Sequence, residues 1–247
     1  MFMTDFHIHS QFSDGKHSIP EIVDFYGQRG FGAIAITDHL CETNTFLGVG
    51  AAYLNRTLTP ESFPRYLEII HQENERAERL YGMKVIPGFE ITKNYLSNHR
   101  SAHILALGVN EFISADDSIS NILNKIREQG AVSIAAHPVS TQRMEKQTFH
   151  LWKMREELAL MVDAWEVASG AVLFSEVKES GLPMIANSDL HRFSQMSSWK
   201  TCFEGERHQD SILEKIKKQK MDFQFYKEEK HGISIHRNDL VQYCNSY

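Results

Sequence analysis

Short apolar runs alternate along the chain with longer segments whose apolar residues recur every three or four positions. Seven of the runs read as strands: Met3–Ile8, Ala33–Thr37, Lys84–Phe89, Ile104–Val109, Ala131–Ala136, Val162–Val167 and Met184–Asn187. Between the first two, Ser18-Ile19-Pro20-Glu21 has the form of a helix start, a capping box with an early proline, and Gly30 closes that helix. A second helix is predicted to begin at Thr59-Pro60-Glu61, because Phe63, Leu67, Ile70, Asn74, Ala77 and Tyr81 then form a mostly apolar stripe. Further helical patterns cover 117–129, 145–160, 171–180 and 209–220. Alternating strands and helices predict a parallel barrel or a doubly wound sheet. With no internal repeat and no linker, residues 1–247 are expected to form one domain. Residues 41–58 exceed the usual ~2–6 residue strand-to-helix loop, and with Asn44, Gly48, Gly50 and Asn55 they read either as a surface excursion or as a lid. Residues 222–247 read as a C-terminal extension, an added strand or helix.

Composition narrows the class. A chain of 247 residues suits an α/β barrel, which commonly runs ~200–250 residues as one domain. The apolar share of 42% and charged share of 23% are those of a globular protein. The formal charge of −6 argues against a large nucleic-acid groove. Cys41, Cys202 and Cys244 are odd in number and far apart, so they form neither a disulfide framework nor a thiolate zinc site. That usage, with no apolar stretch of ~18 residues and no signal-peptide pattern at the N-terminus, leads to the expectation of a cytoplasmic protein.

The candidate chemistry lies where the apolar runs stop. His7-Ile8-His9 places two imidazoles on one side of a strand, so both can serve one ion, and Asp14 follows in the next loop. His39, Glu90, His137 and Asp189 come just after other apolar runs, and Asp189-Leu190-His191 repeats the one-residue spacing. In a βα barrel the carboxyl ends of the strands converge on one mouth. His103 is the exception, since it begins its run; either that strand runs the other way or His103 reaches in from another rim. Each piece alone is weak, and the repetition of one pattern is what points to a metal centre. Imidazole and carboxylate without thiolate suit Zn, Mn or Fe better than Mg or Ca.

Taken in order, Phe6-His7-Ile8-His9-Ser10 with Ser13-Asp14-Gly15, Ile36-Thr37-Asp38-His39, Gly88-Phe89-Glu90, His103, Ala136-His137-Pro138 and Ser188-Asp189-Leu190-His191 resemble the motifs of the PHP (polymerase and histidinol phosphatase) family over residues 1–200. The resemblance implies a distorted (β/α)7 barrel of the TIM-like PHP type with two or three divalent transition-metal ions. It places one ion on His7, His9, Glu90 and Asp189, a second on Asp14, His39 and His191, and a third on Glu90, His103 and His137. It also implies phosphoester hydrolysis by a hydroxide bridging the ions. The leaving oxygen then needs a proton, for which Asp38, His191 and a metal-bound water are the candidates. A phosphate clamp is expected from an arginine: Arg192 first, then Arg100 and Arg143.

Histidinol phosphatases of the family typically carry His where this chain has Asp14. The Ser13-Asp14-Gly15 form looks more like phosphoesterases acting on nucleotides or short oligonucleotides. A small phosphorylated substrate, a nucleotide or short RNA or DNA, is therefore the expected partner, with histidinol phosphate as the alternative. Two other readings compete: an inactive PHP module serving as a partner-binding domain, and an amidohydrolase. A complete ligand set argues against the first. No lysine ends any of the seven apolar runs, which argues against the second. His17, His71, His99, His150, His208, His231 and His236 have no comparable placement.

Overall fold

Eleven strands form one sheet in a computed structural model, which describes residues 1–45, 50, 54, 56–94, 100–139 and 148–228. In chain order the elements are β1 (Phe2–Asp5), α1 (Ile19–Gly27), β2 (Ala33–Ile36), β3 (His39–Cys41), α2 (Phe63–Tyr81), β4 (Lys84–Lys93) and β5 (Ala102–Leu107). There follow α3 (Ile119–Glu128), β6 (Val132–Ala135), α4 (Phe149–Lys153), α5 (Arg155–Leu158), β7 (Ala164–Ser169), β8 (Val172–Leu173) and α6 (Ser175–Lys178). The last are β9 (Met184–Asn187), a 3-10 turn (Phe193–Gln195), β10 (Ser198–Phe203), α7 (Gln209–Lys217) and β11 (Asp222–Tyr226). The strand order is β11-β10-β1-β2-β4-β5-β6-β7-β8, with β3 against β4 and β9 against β7.

All seven expected strands are present, Met184–Asn187 with the expected ends and the other six with one or both ends shifted. The Ser18 cap of α1 accepts from Glu21 N–H, and the Glu21 carboxylate reaches back to the Ser18 backbone N–H at 2.8 Å. The second helix begins at Phe63, a turn later than Thr59. The 145–160 pattern resolves into two short helices, with 145–147 outside the described residues. The 171–180 pattern is instead the β7–β8 hairpin followed by the single turn of α6. β5 is antiparallel to both β4 and β6. A strand running the other way is therefore the reason His103 begins its run and still lies at the same end of the sheet as the other candidates. β11 supplies an added strand at the edge; residues 229–247, like most of the 46–55 stretch of the expected lid, lie outside the described residues.

The sheet is curled. Ala33 and Ala35 of β2, Ile86 of β4, Leu105 of β5, Ile134 of β6, Ala164 of β7, Ile185 of β9 and Phe203 of β10 meet in a single cluster. Flat strands at about 4.8 Å spacing would hold β1 and β9, six steps apart, roughly 29 Å from each other, yet the chain beyond one pairs with the chain beyond the other, so the sheet is rolled. Ile212, Leu213 and Ile216 of α7 belong to the same cluster. The alternate residues, Ile34 and Ile36 among them, pack outward against Ile22 and Val23 of α1 and Tyr66 and Ile70 of α2. A parallel bridge between Ile8 and Leu190 then joins the chain beyond β1 to the chain beyond β9.

A buried ion pair fastens that seam. Lys200 of β10 and Asp5 of β1 are both fully buried and in contact. Asp5 also accepts from Tyr26 hydroxyl at 2.7 Å, Ser188 hydroxyl at 2.6 Å and Ser188 N–H at 3.0 Å. Burial disfavours the charged amine and lowers the Lys200 pKa, against the pull of Asp5. Removing one partner of such a pair leaves an uncompensated buried charge. Lys200→Met is therefore expected to cost about 3–5 kcal/mol, read as a lower denaturant midpoint. A midpoint equal to wild type would show that the pair is not what secures β10 to β1.

Candidate metal centre

The ligand-bearing positions cluster at one end of the curled sheet. His7 and His9 follow β1, and their backbone is stitched to the chain after β9 by His9 N–H to Leu190 O at 2.8 Å and Leu190 N–H to His7 O at 3.0 Å. His39 opens β3 opposite Glu90 of β4, and His103 lies near the start of β5. His137 follows β6; it and Asp189 have positive φ, 27° and 53°, a backbone region unfavourable for non-glycine residues. Gly15 is needed for Asp14 to come close, since a Cβ there would sit 2.1 Å from His9 O.

All nine residues come together. Four groups of side chains have ligand atoms within 4.8 Å of one another: His9, Asp14, His39 and His191; His7, His137 and Asp189; His7, His9 and Glu90; and Glu90, His103 and His137. Glu90 is at the centre, fully buried, with its carboxylate 2.7 Å from His39, 2.8 Å from His103, 3.4 Å from His137, 3.5 Å from His9 and 3.6 Å from His7. It lies well inside the long strand β4 rather than at its end. His191 Nε2 is 3.2 Å from Asp14, and His7 and His9 Nε2 are 3.3 and 3.2 Å from Asp189.

The rings also have partners outside the three carboxylates of the cluster. His7 Nδ1 meets Glu166 at 2.9 Å, His39 Nδ1 meets Thr92 hydroxyl at 2.8 Å, and His103 Nε2 meets Asn94 at 3.1 Å. His137 Nδ1 meets Thr148 hydroxyl at 3.3 Å, and His191 Nδ1 meets the Asp189 carbonyl at 3.1 Å. The inward atoms His7 Nε2, His9 Nε2, Asp14 Oδ1 and Glu90 Oε2 are buried without a hydrogen-bond partner. Buried polar atoms left unpaired are costly, so four of them converging on one space fit divalent cations. The all-nitrogen-and-oxygen donor set suits transition metals.

Electrostatics keeps the carboxylates ionised. Burial opposes the charge on Glu90, but His103, His39 and His7 hold its pKa well below the usual carboxylate range. Asp189 is likewise pulled down against its burial by His7, His9 and His191. Burial works against Asp14 too, and the nearby His191, with the His39 charge, overcomes it. Among the imidazoles, burial and the neighbouring His191 and His39 push His9 down to about 3, a neutral ligand-ready ring. His191 goes the other way: burial is outweighed by Asp14 and Asp189, and its pKa rises to about 9.

A cavity of about 640 Å³ opens onto the cluster, lined by Asp14, His39, His103, His137, Asp189 and His191 and, at the rim, by the cations Lys16, Arg56 and Arg192. Arg100 is not among its lining residues, and Arg143 lies outside the described residues. Asp38 does not fit the expected proton-donor role. Its buried carboxylate accepts from Ser10 N–H at 2.8 Å, Ser10 hydroxyl at 2.6 Å and Ser13 hydroxyl at 2.5 Å, and it is absent from the cavity lining. Asp38 braces the loop that carries His9 and Asp14. His17 stacks on Phe193 at 3.5 Å and is in neither the cavity lining nor the ligand groups. Glu166 and the rim cations Lys16 and Arg56 escaped the sequence reading. A lone acid inside the apolar run Ala164–Ser169 was the available sign of the first.

The PHP domain model matches residues 5–150. A phosphoribosyl 1,2-cyclic phosphate 1,2-diphosphodiesterase of Eggerthella lenta is 31% identical over 107 residues, 43% of this chain and 31% of that protein. A two-domain protein from Bacteroides vulgatus, described as containing a predicted PHP-like metal-dependent phosphoesterase, superposes with a TM-score of 0.66 at 21% identity. That superposition covers 91% of this chain and 64% of the other. The chain thus spans about a third of the first relative and under two thirds of the second, and the second likeness is one of fold. With the family model matched over more than half of its length, the chain belongs to the PHP domain family.

Proposed function

We propose that the protein is a metal-dependent hydrolase of phosphoric ester bonds, acting on a phosphomonoester or phosphodiester of a nucleotide or short oligonucleotide. The observation that carries this reading is the convergence of four partnerless buried ligand atoms among three carboxylates and six imidazoles. His7, His9, Glu90 and Asp189 would hold one ion, Asp14, His39 and His191 a second, and Glu90, His103 and His137 a third, with Zn, Mn or Fe as the metals. When bound, such ions supply Lewis acidity toward phosphoryl oxygens and lower the pKa of water toward neutrality. The curled sheet and the Ile8–Leu190 bridge support reading the fold as the distorted (β/α)7 barrel, with 1–247 as one domain.

The chain's own residues do the rest. Lys16, Arg56 and Arg192 line the cavity mouth and draw an anionic substrate toward the cluster. Arg192 directly follows the His191 ligand position, and its planar fork suits two phosphoryl oxygens. Of the two side chains expected to protonate the leaving oxygen, His191 alone faces the cavity. The proton at its Nε2, 3.2 Å from Asp14, is the available one; service of that nitrogen as a ligand excludes that use and leaves the proton to solvent. The name of the Eggerthella relative adds a cyclic phosphodiester to the substrates worth testing.

Incubated with Mn or Zn, the protein is expected to release phosphate from, or open, at least one member of a panel of nucleoside monophosphates, nucleotide bisphosphates, short RNA, a ribose 1,2-cyclic phosphate and histidinol phosphate. Asp189→Ala is expected to abolish that activity; a wild type inactive on every phosphoester would favour the inactive-module reading. On the substrate so found, Arg192→Ala is expected to raise KM about tenfold, equivalent to ~1.4 kcal/mol. An unchanged KM and kcat would remove Arg192 from the phosphate site.

A further inference from the structure

Glu166 lies on β7 inside an apolar, fully buried strand, at the point where the β7–β9 register shifts. Its two oxygens receive three donors. Oε1 takes His7 Nδ1 at 2.9 Å and the Asn187 side-chain amide at 3.0 Å, and Oε2 takes the backbone N–H of His137 at 2.7 Å. The Asn187 amide cannot turn over, because its Oδ1 accepts Phe6 N–H at 3.1 Å. Among the described residues, the ion-pair partner of Glu166 is His7.

We infer that Glu166 is a positioning residue for two ligands from different strands: it fixes His7 with its proton on Nδ1 and Nε2 free to bind a cation, and it pins the His137 backbone. Neutral imidazole carries one N–H, so a proton committed to Glu166 leaves the Nε2 lone pair facing Glu90 and Asp189. The grip on the His137 N–H holds a residue whose φ of 27° is unfavourable without support. The inference rests on reading the cluster as a metal centre, and donor counting makes it specific. A carboxylate can accept all three bonds; an amide cannot. With glutamine at 166, one orientation sets its NH2 against the His137 N–H. The other sets it against the Asn187 NH2 and drives the His7 proton to Nε2, where it blocks the ligand atom.

Two measurements test this. In 15N-histidine spectra of wild-type protein loaded with Zn, His7 is expected to show a protonated Nδ1 and a coordinated Nε2; a coordinated Nδ1 overturns the assignment and needs no variant. Titration of Zn into chelator-treated Glu166→Gln is expected to show affinity about 10–100-fold weaker than wild type, with the His7 Nδ1–H signal lost or shifted. Wild-type affinity and an unchanged His7 signal in the variant would overturn the inference alone. A wild type that takes up no ion would overturn the metal-centre reading and this one with it. If the variant does not fold, the wild-type spectrum decides.

Discussion

The structure depends on a carboxylate placed where a charge is hardest to keep. Glu90 is fully buried in β4 and touches five imidazoles. An isolated charge there would be prohibitively costly, and in practice a group so placed is paired, binds metal or gives up its charge. Six histidines and two further carboxylates surround it, and the strands are arranged to bring them there. β1, β2, β6 and β9 run so that the chain beyond them delivers His7, His9, His39, His137, Asp189 and His191 to one mouth, and β4, parallel to β2, presents Glu90 from inside its length. β5 runs the other way and contributes His103 from its beginning. Rolling of the sheet is the consequence: a flat one would separate these positions by many strand spacings.

Around the cluster lies a second set of buried carboxylates, each holding a backbone amide at or next to a ligand position. Asp38 takes Ser10 N–H beside His9, Asp5 takes Ser188 N–H beside Asp189, and Glu166 takes His137 N–H itself. Two of those ligand positions, His137 and Asp189, are the ones with positive φ. The local conformation that aims each side chain inward is unfavourable, and a charge-assisted hydrogen bond beside it offsets the cost. Lys200 and Tyr26 in turn neutralise and satisfy Asp5. Sequence, backbone strain and ligand geometry are thus linked through three acids that never face the cavity.

The ligands were legible in the sequence because strand ends are visible as stops in apolar runs, and because His7-Ile8-His9 and Asp189-Leu190-His191 carry the period-two signature of a strand face. Strand direction was legible only as an alternative: the place of His103 at the start of its run allowed a reversed strand, and the antiparallel pairing of β5 decides it. Asp38 stood among the candidate proton donors, yet a sequence does not show which way a side chain turns between two strands, here β2 and β3. Its carboxylate turns to the serines. β10 was invisible because Ser198–Phe203 mixes Ser198, Lys200 and Thr201 into a strand, and the last two are satisfied by distant partners, Asp5 and Ala186. β3 and β8, at three and two residues, are too short for periodicity to show.

The central claim is that divalent ions sit among these nine side chains, with Glu90 shared between them. Anomalous diffraction from crystals of the protein grown with Zn or Mn, collected above and below the metal edge, tests it most directly. The account predicts two or more anomalous peaks within the cluster, at about 2.0–2.2 Å from imidazole nitrogens and carboxylate oxygens, with Glu90 oxygens adjacent to more than one peak. Metal peaks located elsewhere, or none at saturating metal, would contradict it.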